Sequence, residues 1–252
     1  HEFYHSSIKQ GVNPKMKQFC LLWMFAAILT AGADDGVAVH YDFNTGEGTE
    51  LKAVTGGKDG RIFNFGEHCK WVDGASGKAL EFTAPPKSRN QCGGVIIPNF
   101  KFDFTKPFTI IMTIHLQGPV SSGMREMIGW YDAERGPGFR FSVFYGSLEL
   151  RTGDDKQVKT ISTNNAAVAI PAERWIQLAV TYDGTNGAIY LEGKRVAEKA
   201  ITITLPQNKA LKIGAYQGRT AYSMQGAIDD LKIYDRAFSP EEIASLYLEN
   251  MK

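Results

Sequence analysis

Fifteen short segments in which apolar and polar residues alternate, broken by Gly, Asn and Asp, constrain this chain more than any other feature. They run Val37–Phe43, Arg61–Phe65, His68–Val72, Lys78–Phe82, Gly94–Ile97, Phe108–Gln117, Met127–Tyr131, Phe139–Tyr145 and Leu148–Thr152. Gln157–Ser162, Trp175–Tyr182, Ala188–Leu191, Arg195–Ala200, Ala210–Gly214 and Met224–Tyr234 complete the series. A period of two is strand spacing, and so many short strands with turn residues between them predict an all-β chain folded as a two-sheet antiparallel sandwich. A length of 252 residues suits one large core. Alternation also assigns Trp71 and Trp175 to that core.

The last stretch, Met224 to Lys252, adds the one helix. From Ala227 to Asp235 the residues alternate, so that Asp229, Leu231 and Ile233 share a face. Ser239, Pro240 and Glu242 then make a capping box with proline at the first helical position. Ile243, Leu246 and Tyr247 form one side of this helix, which is expected to pack across an edge or end of a sheet.

Three segments carry a resemblance. Trp71-Val-Asp-Gly-Ala-Ser-Gly-Lys-Ala-Leu-Glu-Phe82 resembles the W-x-x-G-x-x-G-x-A-L-x-F segment of laminin-G-like jelly rolls in the concanavalin A-like lectin/glucanase superfamily. Trp175-Ile-Gln-Leu-Ala-Val-Thr-Tyr-Asp-Gly184, followed by Ala188-Ile-Tyr-Leu-Glu-Gly193, is similar to that family's W-x-x-(V/L)-A-x-T-Y-D-G hairpin. Gly226-Ala-Ile-Asp-Asp-Leu-Lys-Ile-Tyr-Asp-Arg-Ala-Phe-Ser-Pro-Glu-Glu-Ile243 resembles its closing segment, with Phe238 where Leu is commoner. The resemblance implies a jelly-roll sandwich; it fixes a fold far more tightly than a function.

The N-terminal region reads differently. Met16 opens a basic start, an apolar run from Phe19 to Leu29 and a small-residue ending at Ala33, the parts of a signal peptide over 16–33. Residues 1–15 read as sequence upstream of the true start, and 34–252 as the domain. The apolar run is about half of what a bilayer span needs, so no membrane span is expected. The reading implies a secreted, periplasmic or cell-surface protein. In such a compartment Cys69 and Cys92 are expected to form a disulfide, worth about 3 kcal/mol; two separate buried thiols are the alternative.

Charge and motifs narrow the function. A formal net charge of +1, with Lys and Arg scattered, gives no footprint for nucleic acid. There is no H-E-x-x-H, C-x-x-C, phosphate loop or G-x-S-x-G elbow. The E-x-D-x-(x)-E strand that the resemblance would bring for glycoside hydrolysis is also absent. Glu47/Glu50 and Asp132/Glu134 are the nearest acidic clusters, both in Gly-rich loops. The expectation is a non-catalytic binding module for carbohydrate or glycoprotein. A glycoside hydrolase or lyase on the same sandwich, and a structural or adhesive surface protein, are the alternatives.

Two sets of site residues follow. The resemblance implies a calcium ion, suited by Asp229 or Asp230 together with loop carbonyls and a residue of the N-terminal loop, for which Asp42, Asn44 and Glu47 are the candidates; alternatively Asp229 accepts backbone N–H groups and Asp230 is exposed. For a glycan, Trp130, Arg140, Glu126 and Tyr145 combine aromatic rings with charged groups around Gly129, Gly136 and Gly138.

Overall fold

A computed structural model of the chain describes residues 36–83, 92–132, 136–154, 156–164, 168–207, 210–216 and 222–250. The expected signal peptide, the residues before it and Glu134 lie outside the described residues. Sixteen strands and one helix are present among the described residues. They are β1 (Val37–Tyr41), β2 (Glu50–Leu51), β3 (Gly60–Phe63), β4 (Cys69–Asp73), β5 (Lys78–Phe82), β6 (Gly94–Ile97), β7 (Phe108–Leu116) and β8 (Met124–Tyr131). After them come β9 (Gly138–Phe144), β10 (Ser147–Gly153), β11 (Val158–Ser162), β12 (Trp175–Tyr182), β13 (Asn186–Leu191), β14 (Lys194–Ala200), β15 (Leu211–Ile213), β16 (Gly226–Tyr234) and α1 (Pro240–Asn250). Only the two-residue β2 has no counterpart in the alternation, being too short to carry a period.

The strands make two eight-stranded sheets with antiparallel pairing throughout. The first runs β14-β13-β12-β7-β16-β5-β4, with β1 paired to the C-terminal part of β16. The second runs β11-β10-β9-β8-β15-β6-β3-β2. This is the jelly-roll sandwich the sequence predicts. Between the sheets, Ile110, Met112, Ile114, Leu178, Val180, Ile228, Leu231 and Ile233 pack with Ile128, Trp130, Phe139, Phe141 and Val143. Phe104 sits among Phe108, Trp130 and Phe139 at centroid distances of 5.1, 5.2 and 4.9 Å.

Helix α1 lies over the outer face of the first sheet and reaches its edge strand β14. Ile243 packs with Phe238, from the connection before the helix, and with Tyr234, Tyr190, Ala188, Ala179 and Ile111, contributed by β16, β13, β12 and β7. The apolar outer positions of those strands explain the placement, because without a cover they would be exposed to water. The capping box forms as expected: Ser239 N donates to Glu242 Oε2 (2.8 Å), and Glu242 N donates to Ser239 Oγ (3.2 Å).

One local irregularity changes the face assignments. The pairing of β16 with β7 shifts between Asp229 and Leu231, and Asp230 has φ of 50°. This β-bulge inserts one residue and reverses the phase of the strand. Ile228 therefore joins Leu231 and Ile233 in the interior. Asp229, expected on the face of Leu231 and Ile233, instead shares the outer face.

Candidate functional site

The outer face of the first sheet is apolar under α1 and polar beyond it. There a cleft of about 510 Å3 opens, floored by Thr113 of β7, Gln177 of β12 and Asp229 of β16, which are directly opposed across the three strands. His40 of β1 with Asp42 and Asn44 just after it forms one wall. Ala75 and Ser76, from the β4–β5 turn, close a second side. Trp175, Glu192 and the end of α1, through Tyr247 and Asn250, complete the rim.

The motif glycines of the β4–β5 turn serve this cleft. A Cβ on Gly74 would lie 2.6 Å from Asp229 Oδ2, and one on Gly77, where φ is 75°, would lie 2.1 Å from Asn44 Oδ1. Only glycine admits both approaches. In return, Ser76 N donates to Asp229 Oδ2 (2.9 Å) and Lys78 N donates to Asn44 Oδ1 (2.9 Å), so the turn, the post-β1 loop and the bulge are tied together. Asp42 holds the loop by accepting from Asn44 N (3.0 Å).

Asp229 is 2% exposed. Burial pushes its carboxyl up to about 6; the N–H groups of Ser76 and Ala75 oppose that rise and the neighbouring Asp230 adds to it. Asp230 Oδ1 accepts from His40 Nε2 at 2.5 Å. Glu192 is gripped by the Arg174 fork at 2.6 and 2.9 Å, which holds its carboxyl below the usual range. Gln177 is 7% exposed, yet its Oε1 has no hydrogen-bond partner. A buried acceptor left unpaired costs free energy that a bound donor would recover.

Trp175, expected in the core, is half-buried on this outer face, its ring edge-on to His115 at 5.5 Å. The reason lies in its own strand: Ile176, Leu178, Val180 and Tyr182 point inward, leaving Trp175, Gln177, Ala179 and Thr181 outside. Trp71 does pack against the core, and its Nε1 donates to Gly48 O (3.0 Å).

The expected calcium donors divide. Asp229, Asp230, Asp42 and Asn44 all line the cleft, whereas Glu47 is exposed outside it. Asp229 Oδ2 is taken by the Ser76 N–H and Asp230 Oδ1 by His40. Among the described residues, no group of three His, Cys, Asp or Glu side chains forms a metal cage.

The four residues expected to bind glycan do not converge. Trp130 faces the interior and is 0% exposed, so its ring offers no platform, although it lines a second cleft of about 520 Å3 with residues 99–103, Leu205 and Gln207. Glu126 and Arg140 lie on the outer face of the second sheet, both buried. Tyr145 is exposed after β9, with φ of 45°. Glu126 accepts from Tyr131 Oη at 2.9 and 3.0 Å. Burial pushes its carboxyl up to about 8, against the pull of Tyr131, Arg140 and Lys212. Arg140 lies 5.3 Å from the ring of Tyr216, which stacks on Tyr131 at 6.0 Å.

Cys69 and Cys92 stand as free buried thiols rather than as the expected disulfide. Burial pushes the Cys69 thiol up to about 12, and Cys92 upward as well. Among the described residues, no helix is long and apolar enough to cross a membrane.

Two stacked antiparallel sheets with a polar cleft on one outer face define a jelly-roll domain. The chain belongs to the concanavalin A-like lectin/glucanases superfamily, whose laminin-G-type profile matches residues 90–244. A comparison with curated proteins finds no match. Among solved structures, domain 4 of AbnA, an extracellular arabinanase from Geobacillus stearothermophilus, in complex with arabinotriose, is similar at 19% identity and TM-score 0.61. That match covers 84% of this chain and 98% of the domain. Trypanosoma rangeli sialidase is similar at 15% identity and TM-score 0.63, over 85% of this chain and 33% of the sialidase. Botulinum neurotoxin type C, whose cell entry depends on interaction with two ganglioside molecules, matches at 12% identity and TM-score 0.66, over 88% of this chain and 53% of that one. The chain thus spans a third of the sialidase and about half of the toxin chain.

Proposed function

We propose that this protein is an exported, non-catalytic carbohydrate-binding module that takes its glycan in the cleft on the outer face of the first sheet. The observation that carries the reading is the unpaired, buried Gln177 Oε1 beside the half-buried ring of Trp175. Sugars present C–H faces that stack on an indole and hydroxyls that donate to such acceptors. Fold neighbours bear on the ligand class: the arabinanase domain was solved with arabinotriose, and the toxin's cell entry involves gangliosides. Non-catalysis is supported by the sequence, which lacks the E-x-D-x-(x)-E strand that would set two carboxylates across a glycosidic bond.

A glycan array followed by calorimetry tests this. Wild type is expected to bind at least one glycan, with affinity reduced about tenfold or more in Trp175→Ala, as for loss of a stacking platform. Chelation is expected to change nothing, since Asp229 and Asp230 already have donors, and no shortened product should appear on prolonged incubation. Wild-type binding that Trp175→Ala leaves untouched would move the site elsewhere. Export is checked by N-terminal sequencing of the protein recovered outside the cytoplasm, which should begin at Asp34.

A further inference from the structure

The charges around the cleft point to the kind of sugar, on the reading just given. Asp42, Asp229, Asp230 and Glu192 line it with His40, and among the described residues no Lys or Arg lines it. Two of the acids have cationic or imidazole partners: Glu192 has Arg174, and Asp230 has His40 at 2.5 Å with Lys232 4.0 Å from its other oxygen. Among the described residues the other two have none. Asp42 accepts only from Asn44 N and Nδ2, and Asp229 only from backbone N–H groups. The nearby Lys78 ammonium is turned to Asp73 (2.7 Å). Gln177 Oε1, buried and unpaired, is one more acceptor awaiting a donor.

We propose that the cleft recognises a glycan carrying a free amine, an amino sugar in its ammonium form, in preference to neutral, N-acetylated or acidic sugars. An ammonium brings three donors and no acceptor, the complement of a cleft rich in acceptors and short of cations. Acidic sugars would place a carboxylate against Asp42 and Asp229 with no arginine to receive it, which is how such a site rejects a wrong ligand.

The test compares β-1,4-linked tetramers of glucosamine, N-acetylglucosamine, glucose and glucuronic acid by calorimetry at neutral pH. The glucosamine tetramer is expected to bind about tenfold tighter than the others, an advantage that shrinks in about 0.5 M salt and in Asp42→Asn, as a screened charge interaction requires. Asp42 is in a loop and only partly buried, so its variant is expected to fold; Asp229→Asn is the second, more buried probe. Equal affinity for the amino and neutral tetramers, lost together in Trp175→Ala, would overturn the amine preference and leave the glycan cleft standing. Tighter binding of the acidic tetramer would overturn it too. Binding of none would overturn the amine preference, while the glycan array decides the reading it rests on.

Discussion

Each sheet buries one carboxylate on its outer face, and the two are held in opposite ways. Asp229 sits on the floor of an open cleft and accepts from backbone N–H groups of a turn fixed in place by Gly74 and Gly77. Glu126 has no exposed surface, takes the Tyr131 hydroxyl and lies near Arg140 and Lys212, with Tyr216 stacked over Tyr131 and Arg140. Burial raises both, to about 6 and about 8. The N–H groups favour the charged form of Asp229, which remains within reach of a ligand, whereas burial favours the protonated form of the enclosed Glu126. A perturbed carboxyl is therefore a candidate recognition group only where open space adjoins it.

The largest expected effect belongs to Glu126. Its folded value of about 8 lies above its ordinary 4.5. The folded state then keeps a proton that the unfolded chain has lost. The group's contribution to stability is full below about pH 4.5 and declines as pH rises toward 8, by at most about 1.4 kcal/mol per unit. Urea midpoints of wild type should fall by the equivalent of a few kcal/mol between about pH 5 and 9. Glu126→Gln should flatten that slope and be the more stable protein at the alkaline end. A flat wild-type curve would mean that Arg140 keeps Glu126 ionised throughout, and the contrast with Asp229 would vanish.

Asp229 gives a smaller effect, visible mainly in binding. As pH falls through about 6 its carboxyl takes a proton, and glycan affinity should weaken. His40, Asp230, Asp42 and Glu192 face the same cleft, so the profile is to be read against Asp229→Asn, which should bind about tenfold less tightly and lose the inflection near 6. Its stability effect has the same sign as that of Glu126, because this value too is raised: stability is lost as pH rises through 6. For this residue, binding and stability thus respond to pH in opposite directions.

These contrasts were unevenly legible in the sequence. The sandwich, its core strands and the capping box were readable because alternation and caps are local patterns. The closing motif announced Asp229 and Asp230 but not the bulge between them and Leu231; a single residue at φ of 50° reverses the phase, and uniform alternation cannot anticipate it. Trp175 was assigned inward although Gln177 and Thr181, two and six positions on, mark its side as the polar one. The cleft itself draws on strands, turns and a helix distant in sequence, so no local pattern contains it. Glu126 and Arg140 looked like a surface pair because the cover supplied by Tyr216 comes from another stretch of chain.

The smallest effect tests whether the two faces are independent. Ser239 caps α1, whose eleven residues are too few to hold a helix without tertiary support, and whose far end places Tyr247 against Gly193 and on the cleft rim. Ser239→Ala removes one half of the capping box and should cost about 1 kcal/mol. Part-time loss of the helical wall lowers the fraction of molecules with a complete cleft, so affinity should fall by about two- to threefold, less than in Asp229→Asn. The pH slope set by Glu126 should not move, since the apolar cluster under α1 is built from residues of the first sheet, the helix and Phe238. If Ser239→Ala changed that slope, strain at the helix would have to pass through the interior to the second sheet, and Asp229 and Glu126 would be parts of one coupled system.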